Sequence, residues 1–261
     1  MSKSSTAMSS TLRCLRLLEL LAEEPFEMTL TDIGLRLAVP KASTHRLCAT
    51  LLEAKLIEQD PRTRRYILSS RALWIGSGYL RHSAVYRASF FPMQELAQRA
   101  HGTAQLGVLD DDHVLFIHSV GYSGVSHAFA DVGLRKPLHA TASGKIFFAA
   151  MPQAEMERIM SLGCEKYTGK TITSLARMQQ EIAQVRRKHY ARNVAELLPG
   201  YWILAAGVVG RDGRTAAAVS VTLPLEDFRP ARETELASLV REAGRKASIQ
   251  LGHLGGGTMG A

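Results

Sequence analysis

Residues 28–68 read MTLTDIGLRLAVPKASTHRLCATLLEAKLIEQDPRTRRYIL. The order of capping, apolar and turn residues predicts a short helix, a tight turn, a second helix that opens at a proline, and a hairpin with arginines at its tip. This order is typical of a winged helix-turn-helix, in which one helix enters the major groove of DNA and a basic loop contacts the flanking backbone. The stretch therefore indicates duplex DNA as a partner.

The first helix of the pair is predicted to begin at Thr31, because threonine is a favourable N-cap and Asp32 follows it in the first turn. Apolar residues at positions 33 and 37 lie four apart and share the face that would pack on a core. Residues 38–39 form the turn, and Pro40 is expected at the first position of the next helix, where proline is readily accommodated.

The second helix is predicted to run from about Pro40 to Ala54. The face that helical spacing predicts to be buried carries Thr44, Leu47, Cys48 and Leu51. The DNA-facing side carries small or hydrogen-bonding residues, namely Lys41, Ala42, Ser43, His45 and Arg46. Arg46 is expected to read a guanine edge or to grip a phosphate. Lys41 and Ser43, near the helix N-terminus, suit phosphate contacts.

The wing is predicted from two strand-like runs, 56–59 and 66–68, on either side of a turn that opens with Asp60 and Pro61. The turn places three basic residues in four positions, namely Arg62, Arg64 and Arg65. Alone, such a charge run is more often a solvated loop. Beside a helix that begins at proline in this way, the interpretation as a DNA-backbone contact is favoured.

Composition agrees with a two-domain protein that has a polyanionic partner. The chain has 261 residues, 46% of them hydrophobic, and a formal net charge of +8. Residues 1–80 hold 11 Lys or Arg and 8 Asp or Glu, which gives a net charge of only +3. DNA binding is therefore expected to depend on a few well-placed side chains rather than on the charge of the whole domain.

Cysteine usage and the start of the chain indicate a cytoplasmic protein. Cys14, Cys48 and Cys164 form no close pair, so neither a disulfide framework nor a zinc site is expected. The first ten residues are polar and do not resemble a signal peptide, and no apolar run is long enough to span a membrane. The acidic run Asp110–Asp112 is predicted to be a hairpin turn rather than a metal site. No cofactor is expected.

Four segments are predicted. They are a winged helix-turn-helix domain at 9–69, a linker helix at 70–82, a second domain at 83–251 and a flexible tail at 252–261. The linker helix is rich in apolar residues, which either pack in a core or, as we favour, help to form a dimer. The second domain is predicted to be α+β, with an antiparallel sheet and packed helices. Its strands are expected at 103–109, 113–120, 125–130, 201–209 and 215–223, and its helices at 86–101, 141–150, 153–161, 174–189 and 232–251.

The predicted DNA-binding domain at 9–69, called the reading head below, resembles a known family. The run LTDIGLRLAVPKASTHRLCATLLEAKLIEQDPRTRRYILSSRALWIGS is similar to the DNA-binding domain of the IclR family of bacterial transcriptional regulators. The family's second helix reads close to LPKSTVHRLLKTL, and this chain matches it at Pro40, Lys41, His45, Arg46, Leu47, Thr50 and Leu51. It departs at Ser43 and Thr44, and at Ala49, where lysine is common in the family.

The resemblance extends over Thr11 to Leu251. KPLHATASGKIFFAAMP and GYWILAAGVVGRDGRTAAAVSVTLP are similar to family segments of a GAF-like domain that binds a small organic effector. Residue-by-residue matching, on the last strand, the loop before it and the opposite wall, implies effector contacts by Val125, Ala128, Lys136, Ala142, Ser143, Asn193, Ile203, Ser220 and Thr222. Asn193 replaces an aspartate of some members, and Ile203 replaces a cysteine or small residue. The pocket is therefore expected to be more apolar and less acidic than that of glyoxylate-type members. The expected ligand is an organic or aromatic carboxylic acid.

Two of these roles have equally strong structural alternatives. Ala142 and Ser143 either offer backbone amides to a carboxylate or simply allow close packing, and Lys136 either pairs with the ligand or is a solvated surface lysine.

At the level of the whole chain, the favoured interpretation is a ligand-responsive transcriptional regulator that acts as a homodimer or tetramer. The alternative is a small-molecule enzyme that uses the winged helix only to oligomerise. Ser143 and Ser220 lack a GxSxG context and the histidines lack metal-site spacing, so no catalytic residue and no metal ligand are predicted.

Overall fold

The computed structural model describes residues 9–23, 25–122 and 132–253. The chain divides into two compact units, one that ends at His82 and one that begins at Ser83. The elements of the first unit are α1 Ser10–Ala22, α2 Leu30–Leu37, α3 Lys41–Glu53, β1 Ile57–Gln59, β2 Tyr66–Leu68 and α4 Ser70–His82. The predicted winged helix-turn-helix is therefore confirmed.

One apolar core holds the first unit together. Leu17 and Leu21 of α1, Ile33 of α2 and Leu47 of α3 are buried in a single cluster with Ile57 of the wing. β1 and β2 pair antiparallel, with Ile57 opposite Leu68, so the wing is anchored to the same core as the helices. Burial of side chains this large contributes roughly 1.5–3 kcal/mol each.

The predicted N-cap of α2 is wrong. Thr29, not Thr31, caps the helix: its hydroxyl accepts the Asp32 N–H at 3.2 Å, and the Asp32 carboxylate accepts the Thr29 N–H at 3.2 Å. A reciprocal capping box needs an acceptor side chain three residues after the cap. Thr29 has Asp32 at that position, whereas Thr31 would have Gly34. The Thr29 hydroxyl also donates to the Asp32 carboxylate at 2.7 Å, and this bond together with the one from the Thr29 N–H lowers the pKa of Asp32.

Pro40 is likewise the N-cap of α3 rather than its first helical residue, a shift of one position. Ala38 ends α2 in the left-handed conformation, with φ of 53°. The tight turn between the two helices is thus made by Ala38, Val39 and Pro40 together.

Among its described residues, the second unit is a six-stranded antiparallel sheet with helices on both faces. Its elements are α5 Ala84–Ala100, β3 Thr103–Asp110, β4 His113–Val120, β5 Arg135–Pro137, a 3₁₀ turn Leu138–Ala140, α6 Ala142–Ala150, α7 Gln153–Ser161, α8 Leu175–Lys188, β6 Ala191–Val194, β7 Tyr201–Val209, β8 Thr215–Pro224, a 3₁₀ turn Leu225–Asp227 and α9 Pro230–Gln250. The strand order is β5-β4-β3-β8-β7-β6. The predicted α+β class is confirmed.

Two layers of helices enclose this sheet. α5 and α9 pack on each other and on the central strands, while α6 packs against β7 and β8 with α8 behind it. The core on the α6 side contains Phe116, Ile146, Phe148 and Ala205. Two short edge strands, β5 and β6, were not predicted, because three or four residues give no clear alternation. The strand predicted at 125–130 lies outside the described residues.

Candidate nucleic-acid interface and effector cavity

The buried face of α3 fixes the orientation of the recognition helix. Thr44, Leu47, Cys48 and Leu51 are buried, as the spacing predicted. The Thr44 hydroxyl donates to the Pro40 carbonyl at 3.2 Å, so this buried polar group is satisfied within the helix. A Cβ on Gly34 would lie 3.0 Å from the Thr44 hydroxyl oxygen, which shows how closely α2 and α3 approach each other. The opposite face of α3 is consequently left to solvent.

The exposed face of α3 carries the residues that the sequence selected for DNA. Lys41, Ala42, His45 and Arg46 are exposed, and Ser43 is half-buried beside them. The Arg46 guanidinium makes one long hydrogen bond, 3.4 Å to the Ser43 hydroxyl, and no ion pair with any described residue. Its donors therefore remain available for an anion or a base edge. Thr31 is exposed in the first turn of α2.

Backbone hydrogen bonds shape the tip of the wing. The Asp60 carboxylate accepts the N–H of Arg62 at 2.6 Å and that of Thr63 at 2.9 Å. These bonds hold the pKa of Asp60 below its ordinary value. Arg64 has a positive φ of 58°, and its carbonyl accepts the Gln59 side-chain amide at 2.9 Å. The tip is thus a defined turn with its side chains displayed outward.

The three wing arginines are not equivalent. Arg62 and Arg64 are exposed and form no ion pair with a described residue. Arg65 is half-buried, with its Nε 3.7 Å from the Glu27 carboxylate, a long and exposed contact that contributes little to stability. Arg62 and Arg64 are consequently the freer of the three to meet a phosphate.

The second unit contains a cavity of about 50 Å³ that brings together seven of the nine residues matched to the effector site. These seven are Lys136, Ala142, Ser143, Asn193, Ile203, Ser220 and Thr222. Seven further lining residues were missed: Gln105, Phe116, Leu134, Ala140, Thr141, Leu197 and Leu198. Val125 and Ala128 lie outside the described residues. The pairing of β3, β7 and β8 could have suggested Gln105, since it lies opposite Ser220 in the sheet.

One end of the cavity is formed by the N-terminus of α6. The Thr141 hydroxyl caps the helix by accepting the Gly144 N–H at 3.0 Å. The amides of Ala142 and Ser143 have no acceptor among the described residues, and both residues are buried. Unpaired amides at a helix N-terminus carry partial positive charge and attract carboxylates. Lys136, half-buried on β5, lines the same cavity and adds a full positive charge.

The remaining wall is mostly apolar. Phe116, Leu134, Ile203, Leu197 and Leu198 supply ring and aliphatic surface. The first three lie on or beside the sheet, whereas the two leucines follow β6 in the segment before β7. The cavity therefore combines an anion-attracting end with an apolar body, as in most small-molecule sites.

The side chain of Asn193 forms its hydrogen bonds with the protein backbone. It lies on β6, not in a loop as expected, and it is almost completely buried. Its amide nitrogen donates to the Ala140 carbonyl, and its oxygen accepts the Glu196 N–H at 3.0 Å. Both ends of the side chain are thereby occupied, so Asn193 ties the α6 end of the cavity to the segment that carries Leu197 and Leu198.

A buried lysine, Lys145, forms an ion pair with Glu196 in the same segment. The Lys145 Nζ, with a side chain that is 0% exposed, lies 2.6 Å from Glu196, 3.1 Å from Glu181 and 2.9 Å from the Arg192 carbonyl oxygen. Its three donors are matched by three acceptors. Burial raises the pKa of Glu196, and Lys145 opposes this shift by favouring the carboxylate. A lysine directly before the apolar run IFFAA was the sequence signal for this network, and it was missed.

The acidic run Asp110–Asp112 has protein partners. Asp110 pairs with Arg135 at 2.7 Å, and Asp112 lies 2.6 Å from His113, while Asp111 makes the turn with a positive φ of 54°. In the described ranges no group of three His, Cys, Asp or Glu side chains is placed to hold a metal ion. Nor is any described helix long and apolar enough to cross a membrane.

A winged helix with an exposed polar recognition face defines a DNA-binding protein. Two family models match the chain: the IclR helix-turn-helix domain over residues 10–61 and the bacterial transcriptional regulator IclR C-terminal domain over residues 77–249. The chain belongs to the IclR family and is a DNA-binding transcriptional regulator.

Individual relatives agree with this assignment. The glycerol operon regulatory protein of Streptomyces griseus is 32% identical, over 92% of this chain and 95% of its own length. The crystal structure of an IclR transcriptional regulator from Alicyclobacillus acidocaldarius superimposes with a TM-score of 0.82 at 27% identity, covering 93% of this chain and 98% of that one. An IclR homologue from Microbacterium hydrocarbonoxydans, solved in complex with 4-hydroxybenzoate, shares the fold with a TM-score of 0.78 at 24% identity, covering 93% and 99%.

Proposed function

We propose that the second domain binds a small organic or aromatic carboxylic acid and that this effector modulates operator binding by the first domain. The observation that carries the proposal is the cavity around the α6 N-terminus, where free amides at Ala142 and Ser143 and the charge of Lys136 meet an apolar wall. A carboxylate would be held at the α6 end, and its hydrocarbon body would lie against Phe116 and Ile203.

The cavity constrains the size of the effector. About 50 Å³ holds three to five water-sized groups, which suits a short carboxylic acid without rearrangement. A benzoate-sized ligand needs more volume than this, so we propose that lining side chains, among them the exposed Leu198, shift to admit it. The relative that carries 4-hydroxybenzoate supports an aromatic acid as one member of the class. The named relatives are regulators, which supports a sensing rather than a catalytic role.

On the DNA side, we assign base reading to Arg46 and backbone contacts to the surrounding polar groups. Lys41, Ser43 and Thr31 would meet phosphates at the helix N-termini, and His45 and Ala42 would lie against the groove floor. Arg62, Arg64 and Arg65 would hold the flanking backbone. The guanidinium groups of Arg46, Arg62 and Arg64 form no ion pair with a described residue, which supports these roles.

We further propose a homodimer or tetramer assembled in part through α4. None of its residues is buried, and Leu73, Trp74, Ile75 and Tyr79 are 73%, 62%, 55% and 54% exposed. Apolar side chains this exposed on one helix favour association, and a second copy would supply a second recognition helix for a paired operator site.

A thermal-shift screen of short aliphatic and aromatic acids tests the effector proposal. Binding stabilises the folded protein by mass action, by about 2.7 kcal/mol at a ligand concentration 100 times Kd. The melting temperature rises as a consequence. Lys136→Met should weaken the shift, because it removes the charge at the cavity. Lys166→Met, at an exposed position outside the cavity, is the matched control. A shift of equal size in wild type and Lys136→Met would remove Lys136 from the site, and the absence of any shift would overturn the proposed effector class.

A further inference from the structure

An open groove of about 580 Å³ separates α1 from α3 in the reading head. Its rim carries hydroxyl and guanidinium groups, namely Thr11 and Arg13 from α1 and Ser43, Arg46 and Thr50 from α3. Its floor is formed by Cys14 and Leu47. The groove therefore connects the face of α3 that carries Arg46 to α1. No role in DNA binding has so far been assigned to α1.

Arg13 is the unexplained charge in this groove. Its side chain is half-buried, yet it forms no ion pair or hydrogen bond with any described residue. Arg16, one turn further along α1, is exposed and forms an ion pair, with its Nη1 2.8 Å from the Glu19 carboxylate. Because no described side chain pairs with it, this guanidinium can bind an external anion without breaking an existing contact.

The geometry of the rim points to a phosphate as that anion. A guanidinium offers a planar fork of donors that fits phosphate oxygens bidentately. Arg46 lies across the groove, and the Ser43 hydroxyl on its border can also donate to phosphate. The Thr50 hydroxyl lines the groove too, but it donates to the Arg46 carbonyl at 3.0 Å. The N-terminus of α1 is capped by Ser9, which accepts the Leu12 N–H at 3.2 Å, and this positive helix end lies beside Arg13.

We propose that Arg13 binds a backbone phosphate of the DNA strand that borders the major groove occupied by α3. α1 is then a third DNA-contacting element, beside the recognition helix and the wing. The contact carries no sequence information, so it sets affinity and register but not operator choice. Because the phosphate belongs to duplex DNA, the contact is made on any sequence.

The test measures the salt dependence of DNA binding. Fluorescence anisotropy would give Kd over a range of KCl concentrations for two duplexes, one selected in vitro by the wild-type protein and one of random sequence. Arg13→Gln should reduce the slope of log K against log[KCl] by about 0.9 on both duplexes, the value expected for one lost phosphate contact. Affinity should fall about tenfold on both.

Arg16→Gln is the matched control, because it removes the same charge from the same helix where the guanidinium is already paired. It should leave the slope unchanged. A wild-type slope in Arg13→Gln would overturn the proposal, and so would an affinity loss confined to the selected duplex, which would make Arg13 a base reader. If the wild-type protein bound neither duplex, the broader assignment as a DNA-binding protein would be refuted instead.

A gain-of-contact variant keeps the test decisive if Arg13→Gln lowers stability. Thr11→Lys adds a charge at the exposed rim of the groove, whereas Ala22→Lys adds the same charge at the far end of α1. Thr11→Lys should steepen the salt slope by about 0.9, and Ala22→Lys should not. Equal slopes in the two variants would contradict a phosphate path along this groove.

Discussion

Arg46 is the residue on which sequence-specific binding is expected to depend most. It is exposed on α3, and its one side-chain hydrogen bond to a described residue, Ser43, is long. Arg46→Ala should weaken binding to a selected duplex by roughly 1–3 kcal/mol more than binding to a random duplex, because a bidentate contact to a base edge is lost. Arg36→Ala, at an exposed position on α2, is the control. Retention of full sequence preference in Arg46→Ala would refute the assigned role.

Lys145 is expected to dominate the stability of the second domain among its charged residues. Lys145→Met leaves the buried Glu196 carboxylate without its cation, which should lower the free energy of unfolding by about 3–5 kcal/mol. The double variant Lys145→Met, Glu196→Gln should recover part of the loss. Lys246→Met breaks exposed pairs with Glu95 and Glu242, so it should cost no more than about 1 kcal/mol. Urea unfolding measures all three, and equal losses in Lys145→Met and Lys246→Met would contradict this ranking.

The sequence predicted the surroundings of some side chains and not of others. The exposed face of α3 followed from helical spacing alone, because a period of 3.6 residues fixes which side chains face a core. Asn193 was matched to the cavity, but its bonds to Ala140 and Glu196 depend on a partner 53 residues away, which no local pattern reveals. Lys145 and Arg13 were missed for the same reason, since their surroundings come from separate elements.

At the scale of one element, the capping box of α2 makes a direct prediction. Thr29→Ala removes the hydroxyl that accepts the Asp32 N–H, which should cost about 1 kcal/mol of stability in the reading head. Thr31→Ala is the matched control, because its side chain caps nothing, and it should have little effect on stability. Thermal melts of the two variants measure the difference. If Thr31→Ala were the more damaging of the two, the helix start described above would be incorrect.

The contact between α6 and the preceding 3₁₀ turn depends on Gly144. A Cβ at this position would collide with the backbone of Leu138, so Gly144→Ala must push α6 away from the turn. Overpacking of this kind should cost at least about 1–3 kcal/mol and should disturb the amides of Ala142 and Ser143 at the cavity. Gly169→Ala, where a Cβ meets nothing within 4 Å, should be tolerated. Equal melting temperatures for these two variants would argue against the close approach.

Elements differed in how well the sequence predicted them. α4 and α7 begin and end where their patterns placed them, and the long helices and strands were placed within about two residues, which is the usual scatter of boundaries. β5 and β6 escaped because a strand of three or four residues has too few positions to show alternation. Both border the cavity, through Lys136 and Asn193, so the missed strands were the ones that complete the site.

At the scale of the whole molecule, α4 is the element through which copies are expected to associate. Trp74→Glu places a charge among exposed apolar side chains and should shift the assembly towards monomer. Ser70→Glu adds the same charge at the exposed start of α4 and should not. Light scattering measures the mass of each variant. An unchanged mass for Trp74→Glu would exclude this face of α4 from the interface.

The central claim is that the cavity and the recognition helix are coupled. Two sites are coupled when each ligand changes the affinity for the other by the same factor. Sequence patterns predicted both sites separately, but patterns carry no information on the energy that links them. The link is therefore a matter for measurement on the intact chain.

The most direct measurement is anisotropy titration of a selected duplex with and without a saturating acid from the thermal-shift screen. We expect the acid to change the Kd for DNA by about 5–150-fold and DNA to change the Kd for the acid by the same factor. Lys136→Met should require more acid for the same effect. An acid that binds the protein yet leaves the Kd for DNA unchanged would contradict the account.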